Sequence, residues 1–507
     1  MTRSLVLRVS IGFLITATVG AFYLELSRRS DLYWYDVRDD YQYMFTKEAA
    51  RQLSIPVTSQ GATIPTLEDD WDTAVLQVNV NATIAGSWFE PTIEIISGDK
   101  SWAQTFERGA KGRRYLVLDP EVVGSGSSLR FSGRHIRWEE GTAELFLFST
   151  PEVKDATLLV LAPHPDDAEI AAFGLYSGKE AYVTTISAGN YVDGLYAHLA
   201  TDPADQEHLR GRVRSWDSLV VPTWGGVELE RTVNLGYYNG SLQGLHDQRE
   251  RAPKQSDLPL QDPNRYRSGA VAQLLDGRRA DATWRSLVQD LQAIVRAVDP
   301  GVIATPYPAL DAAADHQYTT LALLEALEAV GDNDTVLLLY TNHHVLSEYY
   351  PFGPSGSAVT LPPWFDATTE FSGVYSHSLS KRDQMDKLFA LEAMHDLRAA
   401  PRVLQGGPFA RFLTLVSAAF DGLRRNPLGT YSYIRRAVRS NEAFFVVRAH
   451  DRHRLMAELP ARQAGSGQPG AGCRYRALLL PHSFCAGPGI SGFPAPNLTF
   501  ICERPTT

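Results

Sequence analysis

The chain has 507 residues, of which 21% are charged, and a formal net charge of -10 at pH 7. This length is enough for two or three domains with a large core, and an acidic chain without long Lys or Arg runs excludes nucleic acid as the main partner. The cysteines are Cys473, Cys485 and Cys502. Their position near the end of the chain excludes a cysteine nucleophile or cysteine-based zinc site in the core, although an exported chain could form one disulfide there.

The N-terminal segment, residues 1–30, is predicted to be a signal anchor or a signal peptide. Arg3 and Arg8 precede an uncharged run at residues 9–24. With residues 5–7 included, this run approaches the roughly 20 residues that span a bilayer. The lack of a strong small-residue cleavage site favours the anchor, and a buried helix of the soluble fold is the third interpretation. Either of the first two predicts an extracytoplasmic location, periplasmic or at the cell surface, with the membrane as a partner.

Residues 31–150 are predicted to form a β-rich accessory domain that resembles an antiparallel sandwich. Short segments with alternating apolar and polar residues recur there between clusters of Gly, Ser, Asp and Asn. Its aromatic residues either belong to an ordinary core or line a carbohydrate-binding face: Trp88, Phe89, Trp102 and Trp138.

From residue 151 onward, predicted strands and helices alternate, which predicts an α/β fold with a Rossmann-like, mostly parallel sheet and helices on both faces. The predicted strands are 158–162, 182–186, 302–305 and 336–340, and the predicted helices are 167–177, 205–221, 284–298 and 317–330. This domain is expected to extend over residues 151–450. Residues 345–380 and 400–430 are interpreted as long loops over the site, and residues 451–507 as a partly disordered tail.

The most informative segment is His-Pro-Asp-Asp at residues 164–167, which follows the strand at 158–162 and precedes a helix. A buried strand that delivers a histidine and two carboxylates to a sheet edge can build a metal site. A second segment, Asp-His at residues 315–316, opens the helix that follows a later strand. One histidine from each segment and one carboxylate make three protein ligands, which is the number that catalytic zinc sites use while one position stays open. Asp166 diverges from its neighbour Asp167, so we expect it to transfer protons instead of binding the metal.

These segments resemble those of the PIG-L or LmbE-like family of zinc-dependent N-acetylglucosaminyl deacetylases. Residues 164–169 match the first family motif, and residues 315–316 match the end of the second, His-Pro-Asp-His. Residues 235–242 resemble the family segment Leu-Gly-Tyr-Pro-Asp-Gly-x-Leu, and residues 441–444 resemble its closing Glu-x-Phe segment. The resemblance covers about residues 151–450.

The resemblance implies a zinc ion bound by His164, Asp167 and His316. It also implies that Asp166 is the general base that later protonates the amine, and that Asp315 orients a ligand or a catalytic group. The implied substrate is a saccharide. The candidate substrate-binding residues are one of Arg212 and Arg214, then Asn239, and the pair His343 and His344, which are otherwise ordinary strand-end residues.

The chain departs from the family at Ala313 and Ala314, which replace the His and Pro of the second motif. That histidine helps to stabilise the oxyanion, and loss of one oxyanion donor typically lowers turnover about 10²–10³-fold. Asp311, nearby, is interpreted as a turn residue in preference to a metal ligand. The groups that could replace the histidine are His343, His344, His377, His395 or an arginine.

Three functions are therefore compatible with the sequence. The first is zinc-dependent de-N-acetylation of an amino sugar in an exported polysaccharide or glycoconjugate. The second is a glycan-binding or scaffold protein that keeps zinc without turnover. The third is a zinc hydrolase that acts on another amide or on an ester.

Overall fold

The computed structural model describes residues 32–46, 50–66, 71–118, 126–192, 195–249, 262–395, 397, 433–456, 474–478 and 499–503. The predicted anchor or signal at residues 1–30 lies outside the described residues, as do residues 400–430 and most of the predicted tail. Within the described part, no helix combines the length and the apolar character needed to cross a membrane.

The N-terminal part is built from antiparallel strands, apart from its first strand, which pairs in parallel with a later part of the chain. The strands are β1 (Met44–Phe45), β2 (Arg51–Thr58), β3 (Gly61–Thr63), β4 (Thr73–Ala82), β5 (Thr92–Ser97), β6 (Lys100–Thr105), β7 (Lys111–Leu118), β8 (Ser128–Arg134), β9 (Ile136–Trp138) and β10 (Gly141–Phe148). Nine of them form one sheet in the order β6-β5-β8-β3-β2-β10-β4-β7, with β9 paired to β4. The predicted antiparallel pairing is therefore present, but these strands form one continuous sheet. Strand β2 makes the sheet continuous, because it pairs with β10 along most of its length and its last residues also pair with β3.

The second part is a mixed α/β structure around an eight-stranded sheet. The further strands are β11 (Leu158–Ala162), β12 (Ala181–Ser187), β13 (Thr232–Tyr237), β14 (Ser268–Gly269), β15 (Val302–Pro306), β16 (Val336–Tyr340), β17 (Glu370–Phe371), β18 (Val374–Ser378), β19 (Asn441–Arg448), β20 (Arg474–Leu478) and β21 (Thr499–Glu503). The sheet order is β14-β13-β12-β11-β15-β16-β19-β18. The five strands from β13 to β16 in this order are parallel, and the outer strands are antiparallel to their neighbours.

Helices cover both faces of this sheet, so the prediction of an α/β chain is confirmed at that level. The helices are α1 (Glu152–Asp155), α2 (Asp167–Tyr176), α3 (Pro203–Val220), α4 (Leu242–Gln248), α5 (Val271–Leu275), α6 (Trp284–Val298), α7 (Ala314–Val330), α8 (Lys381–Ala393) and α9 (Tyr433–Ala437). Successive side chains of a strand point to opposite faces. Accordingly, Leu159 and Leu161 of β11 belong to the same core as α6 and α7, while Val160 and Ala162 belong to the core that contains α2.

The two sheets share a core and main-chain contacts. Strand β1 pairs with β17 in parallel, and Gln104 of β6 forms a bridge with Ala358. The Tyr43 hydroxyl donates to the Pro362 carbonyl at 2.6 Å. Tyr43 also belongs to the buried cluster that contains Phe445 of β19. The N-terminal sheet is thus packed directly against the sheet that carries the candidate site.

The prediction of uninterrupted loops over residues 345–380 is wrong at β17 and β18. Strand β18 was missed because its two inward positions are Val374 and Ser376, so it lacks an apolar alternation. Ser376 is buried, and its hydroxyl accepts from Asn441 Nδ2 at 2.9 Å. A hydrogen bond therefore takes the place of an apolar contact, and the strand lacks the alternation of apolar residues by which the sequence would have indicated it.

A buried arginine holds the segment at residues 351–354. The Arg439 guanidinium is buried and donates to the carbonyls of Pro351, Phe352, Gly353 and Pro354 at 2.6–3.1 Å, and also to the carbonyl of Arg436. Buried carbonyls that lose their donor are costly, as is a buried charge that loses its partners. This one side chain therefore donates hydrogen bonds to the carbonyls of a turn that has few other main-chain donors in the described structure.

We predict that Arg439→Leu lowers the free energy of unfolding by at least about 3 kcal/mol, because several buried carbonyls lose their donors. The matched control is Arg448→Leu. Arg448 is half-exposed and pairs with Glu152 at 2.7 Å, and such a pair contributes less than about 1 kcal/mol. Chemical denaturation of the two variants measures the difference. Equal destabilisation would contradict the structural role of Arg439.

Candidate active site

The candidate site lies where the strand order of the sheet reverses. The chain runs from β11 outward to β12 and β13, and then crosses to β15 and β16 on the other side of β11. In open α/β sheets, ligands bind at the carboxyl ends of the strands at such a point. His164 and Asp167 follow β11, and His316 lies in the first turn of α7 after β15. The topology therefore brings together two segments that are about 150 residues apart in the sequence.

Three side-chain atoms converge at this point: His164 Nδ1, Asp167 Oδ2 and His316 Nε2. The distances between them are 3.2 Å from His164 to Asp167, 3.1 Å from His316 to Asp167 and 3.3 Å between the histidines. A tetrahedral site with metal–ligand distances of about 2.0–2.1 Å has edges of about 3.3–3.4 Å. The triangle formed by the three atoms thus has the size that a zinc ion requires.

The outer nitrogen of each histidine is held by a carboxylate. His164 Nε2 lies 3.1 Å from Asp315 Oδ2, and His316 Nδ1 lies 3.0 Å from Asp311 Oδ2. Neutral imidazoles that donate N–H to these carboxylates turn their lone pairs inward, toward each other and toward the Asp167 oxygen. Three acceptors that face one point require a cation between them, so these residues fit a metal such as zinc.

Asp311 has more hydrogen-bond partners than the turn role predicted from the sequence would require. It is buried, and its carboxylate accepts from the main-chain N–H groups of Ala313 at 3.0 Å, Asn342 at 3.0 Å and His343 at 3.2 Å. The turn contact to Ala313 is present, but the same carboxylate also orients the His316 ring. It therefore joins the end of β15 to the loop after β16.

Asn342 is a site residue that the sequence did not indicate. Its Nδ2 donates to Asp167 Oδ1 at 2.7 Å, on the carboxylate whose other oxygen belongs to the metal group. The available signal was its position two residues after β16, a parallel strand that ends at the same edge of the sheet. The side chain fixes the orientation of the Asp167 carboxylate.

The N-terminal part of the chain supports the loop that carries Asn342. The Trp34 N–H donates to the Leu346 carbonyl at 3.0 Å, and the Ser347 hydroxyl donates to the Leu32 carbonyl at 2.7 Å. Neighbouring residues of this loop are therefore bound to the segment that precedes β1. The orientation of the candidate ligand Asp167 depends indirectly on these contacts.

Asp315 also receives main-chain donors, from Gly240 at 2.5 Å and from Leu242 at 3.2 Å. These residues belong to the segment at 235–242 that resembled a family segment. Asn239 lies beside Gly240, and its main-chain N–H donates to Asn190 Oδ1 at 3.1 Å. The structure thus places Asp315 behind His164, where it orients a ligand and has no direct contact with the metal position in the described contacts.

Asp166 lies next to the metal group in a sparsely populated backbone conformation, with φ = 151°. Its carboxylate accepts from Arg214 Nη2 at 3.1 Å, and the same nitrogen donates to the Pro165 carbonyl at 2.8 Å. Strained residues persist where the surroundings over-determine them, and here one guanidinium holds both the side chain and the preceding carbonyl. Arg212, the alternative to Arg214, is exposed and points away from this side of α3.

The two adjacent histidines have different surroundings. The His343 ring lies 5.2 Å from the His316 ring, and its Nδ1 is 3.4 Å from Glu348 Oε2. His344 is buried, accepts from the Leu346 N–H and lies 5.4 Å from the Tyr350 ring. Of the pair, His343 is therefore the one with a described contact to the metal group.

The charges of the metal group shift the pKa values of its members. Burial disfavours the protonated form of His164, but its hydrogen bonds with Asp167 and Asp315 outweigh burial and raise its pKa to about 9. The same balance, with Asp167 and Asp311, raises the pKa of His316. Burial would raise the pKa of Asp167, yet the two histidines hold it well below its usual range. Without metal, protons therefore occupy the histidines near neutral pH.

This balance predicts opposite pH effects in the metal-free and zinc-bound protein. The pKa of His164 is raised to about 9, compared with about 6.5 in the unfolded chain. Its contribution to stability is therefore complete below about pH 6.5 and is lost as pH rises toward 9. Over the same range zinc affinity increases, because the metal competes with fewer protons. Thermal unfolding and zinc titration between pH 6 and 9 test both trends. The His164→Asn variant should show a weaker dependence of metal-free stability on pH. A metal-free protein that gains stability over this range would contradict the prediction.

We predict that Asn342→Ala weakens zinc binding about 10–100-fold, as is typical when a residue that orients a metal ligand is removed. Competition with a zinc chelator measures this change. Asn333→Ala is the matched control, because Asn333 is exposed and lies before β16, at the opposite end of that strand. Unchanged affinity in Asn342→Ala would show that Asp167 does not need this hydrogen bond.

Comparisons with known proteins identify one family. No curated protein matches the chain in sequence. Among solved structures, the 4-carboxy-2-hydroxymuconate hydratase GalB from Pseudomonas putida KT2440 is 14% identical, with a TM-score of 0.27, and the match covers 57% of this chain and 95% of that chain. A family two carbohydrate esterase from Cellvibrio japonicus is 10% identical over 61% of this chain and 88% of that chain, with a TM-score of 0.13. These scores are too low to support an argument.

Residues 159–327, which include the whole metal group, match the profile of the PIG-L family, described as GlcNAc-PI de-N-acetylase. The match over these residues is to the family that the motifs predicted.

Proposed function

We propose that this protein is a zinc-dependent hydrolase that removes the acetyl group from an N-acetylated amino sugar of an exported polysaccharide or glycoconjugate. The family supports a deacetylase or a related hydrolase. The observation that carries the proposal is the triangle of His164 Nδ1, Asp167 Oδ2 and His316 Nε2, with the carboxylate of Asp166 held beside it. A metal position with an adjacent acid–base group is the arrangement that amide hydrolysis requires.

Zinc bound by the three ligands would polarise the acetamide carbonyl and lower the pKa of a bound water to about 7. Asp166 accepts a proton from the attacking water. As the bond between the carbonyl carbon and nitrogen breaks, Asp166 returns that proton to the nitrogen, so the products are acetate and a free amine. Arg214 keeps the Asp166 carboxylate in place through both transfers.

The proposed location is extracytoplasmic, with the protein anchored by residues 1–30. The support for this part is the apolar run at residues 9–24 between flanking arginines. A membrane-proximal enzyme on that side encounters exported saccharides, which fits the proposed class of substrate.

A second candidate function is zinc-dependent glycan binding without turnover. It is favoured by Ala313, which stands at the N-cap of α7 in place of a histidine. Ala313 has no side-chain donor for an oxyanion. The two candidates differ in whether acetate is released.

We predict that Asp166→Asn lowers acetate release from N-acetylated oligosaccharides about 10²–10⁴-fold, which is the usual contribution of a general acid–base group. Zinc content should stay unchanged, because Asp166 is not a member of the metal group. His164→Ala should lose both zinc and activity. Acetate release is followed with zinc-loaded protein, and metal content is measured in parallel.

Asp334→Asn is the matched control for Asp166→Asn. Asp334 is exposed and lies before β16, at the opposite end of the strand from the site. If zinc-loaded Asp166→Asn keeps the wild-type rate, Asp166 is not the general base. If the zinc-loaded wild-type protein releases no acetate but binds the oligosaccharides, the second candidate function is correct.

A further inference from the structure

The helix that begins with the metal ligand Asp167 is interrupted in its middle. In α2, Ala172 has φ = -139° and ψ = 17°, whereas helical residues have φ of about -63° and ψ of about -42°. The turn before the interruption is helical, since the Ile170 N–H donates to the Asp166 carbonyl at 2.9 Å. Helix α2 therefore has a kink, and the half before the kink carries both Asp166 and Asp167.

A buried ion pair occupies this kink. The Glu442 carboxylate accepts from the main-chain N–H groups of Gly174 and Leu175, both at 2.9 Å. Lys387 Nζ donates to the Ile170 carbonyl at 2.8 Å and to Glu442 Oε1 at 2.7 Å. The exposed fraction is only 1% for the Lys387 side chain and 3% for that of Glu442. The pair thus binds main-chain groups from both halves of the helix.

The ion pair stands in place of a helical hydrogen bond. In an unbroken α-helix the N–H of each residue donates to the carbonyl four residues earlier, so the Gly174 N–H would donate to the Ile170 carbonyl. Here Glu442 binds that donor and Lys387 binds that acceptor. Side chains that insert into the main-chain hydrogen bonds of a helix are a known cause of kinks. The kink of α2 therefore follows from the ion pair.

Both members of the pair belong to elements that pack around the kink. Glu442 is the second residue of β19 and lies opposite His377 of β18, and Lys387 lies in the middle of α8. A Cβ on Gly174 would lie 2.6 Å from the Leu379 side chain. Glycine at this position therefore allows the connection between β18 and α8 to approach the helix closely.

The ion pair is one helical turn away from the site. Lys387 binds the carbonyl of Ile170, whose N–H binds the carbonyl of Asp166. The neighbouring residue, Asp167, must meet His316 of a different helix, with 3.1 Å between Oδ2 and Nε2. The direction of the first turn of α2 therefore determines whether the carboxylates and the histidine lie at the distances that a metal requires.

We propose that Lys387 and Glu442 are positioning residues, which fix the kink of α2 and thereby place Asp166 and Asp167 relative to His316. Without the pair, the main-chain groups that it binds can form the regular helical hydrogen bonds with each other. The helix can then straighten, and its first turn loses the geometry that binds the metal. This inference rests on the zinc binding of the proposed function, and it does not depend on turnover.

The test compares Lys387→Met, Glu442→Met and the double variant by chelator competition for zinc and by chemical denaturation. We expect all three to bind zinc about 10–100-fold more weakly, as is typical when a residue that orients a metal ligand is removed. Each single variant should also lose stability, because a buried charge or buried main-chain groups lose their partners. The double variant should regain most of that stability, since its helix can satisfy its own main-chain groups, while its zinc affinity stays low.

Arg452→Met is the matched control. Arg452 is a buried cation that donates to the carbonyls of Asp332 and Ala449, both at 3.0 Å, at the opposite end of β16 from the site. This variant should lose stability and keep the wild-type zinc affinity. Cobalt bound in place of zinc reports the ligand geometry through its visible absorption. That absorption should change in the Lys387 and Glu442 variants and stay unchanged in Arg452→Met.

Low zinc affinity in a double variant that has regained stability supports the inference, even if the wild-type protein releases no acetate. Zinc affinity that recovers together with stability overturns it, because the pair then only stabilises the fold. Wild-type zinc affinity and cobalt absorption in all three variants also overturn it, and they leave the proposed function intact. If the wild-type protein binds no zinc, the proposed function and this inference both fail.

Discussion

The site depends on two histidines whose outer nitrogens are each held by a buried carboxylate. Asp315 orients His164, and Asp311 orients His316, so both rings present their inner nitrogens to the same point. Without these carboxylates the rings could rotate or exchange tautomers, and the three inner acceptors would not converge. The convergence is unfavourable unless a cation neutralises it, which explains why protons occupy the histidines when metal is absent.

The carboxylates are themselves held by main-chain donors from several loops. Asp311 binds the loop after β16, and Asp315 binds the segment after β13 through Gly240. The ends of four parallel strands are thereby joined around one point. The segment that precedes β1 extends this support, since it binds the loop that carries Asn342. This segment therefore takes part in the structure of the site.

Sequence reasoning located the metal group because its residues are concentrated in two short motifs. The strand at 158–162 and the helix at 284–298 agree with the structure residue for residue, since each has an unbroken apolar pattern bounded by clear breaks. Asn342 was missed because its contact with Asp167 spans 175 residues, and its position after a parallel strand does not by itself identify its partner. Strand β18 was missed because a hydrogen-bonding serine fills one of its two inward positions.

The sequence by itself determined the chemistry of this protein: which histidines and carboxylates are present, and that they follow strands of an alternating α/β pattern. That information is local, because strand periodicity and motif spacing act within a few residues. Only the tertiary structure decided that Arg214, and not Arg212, contacts Asp166, and that Asp311 holds the His316 ring in addition to making its turn contact. Those choices depend on which helix face packs against the sheet and on which strands become neighbours, and such contacts join residues far apart in the chain.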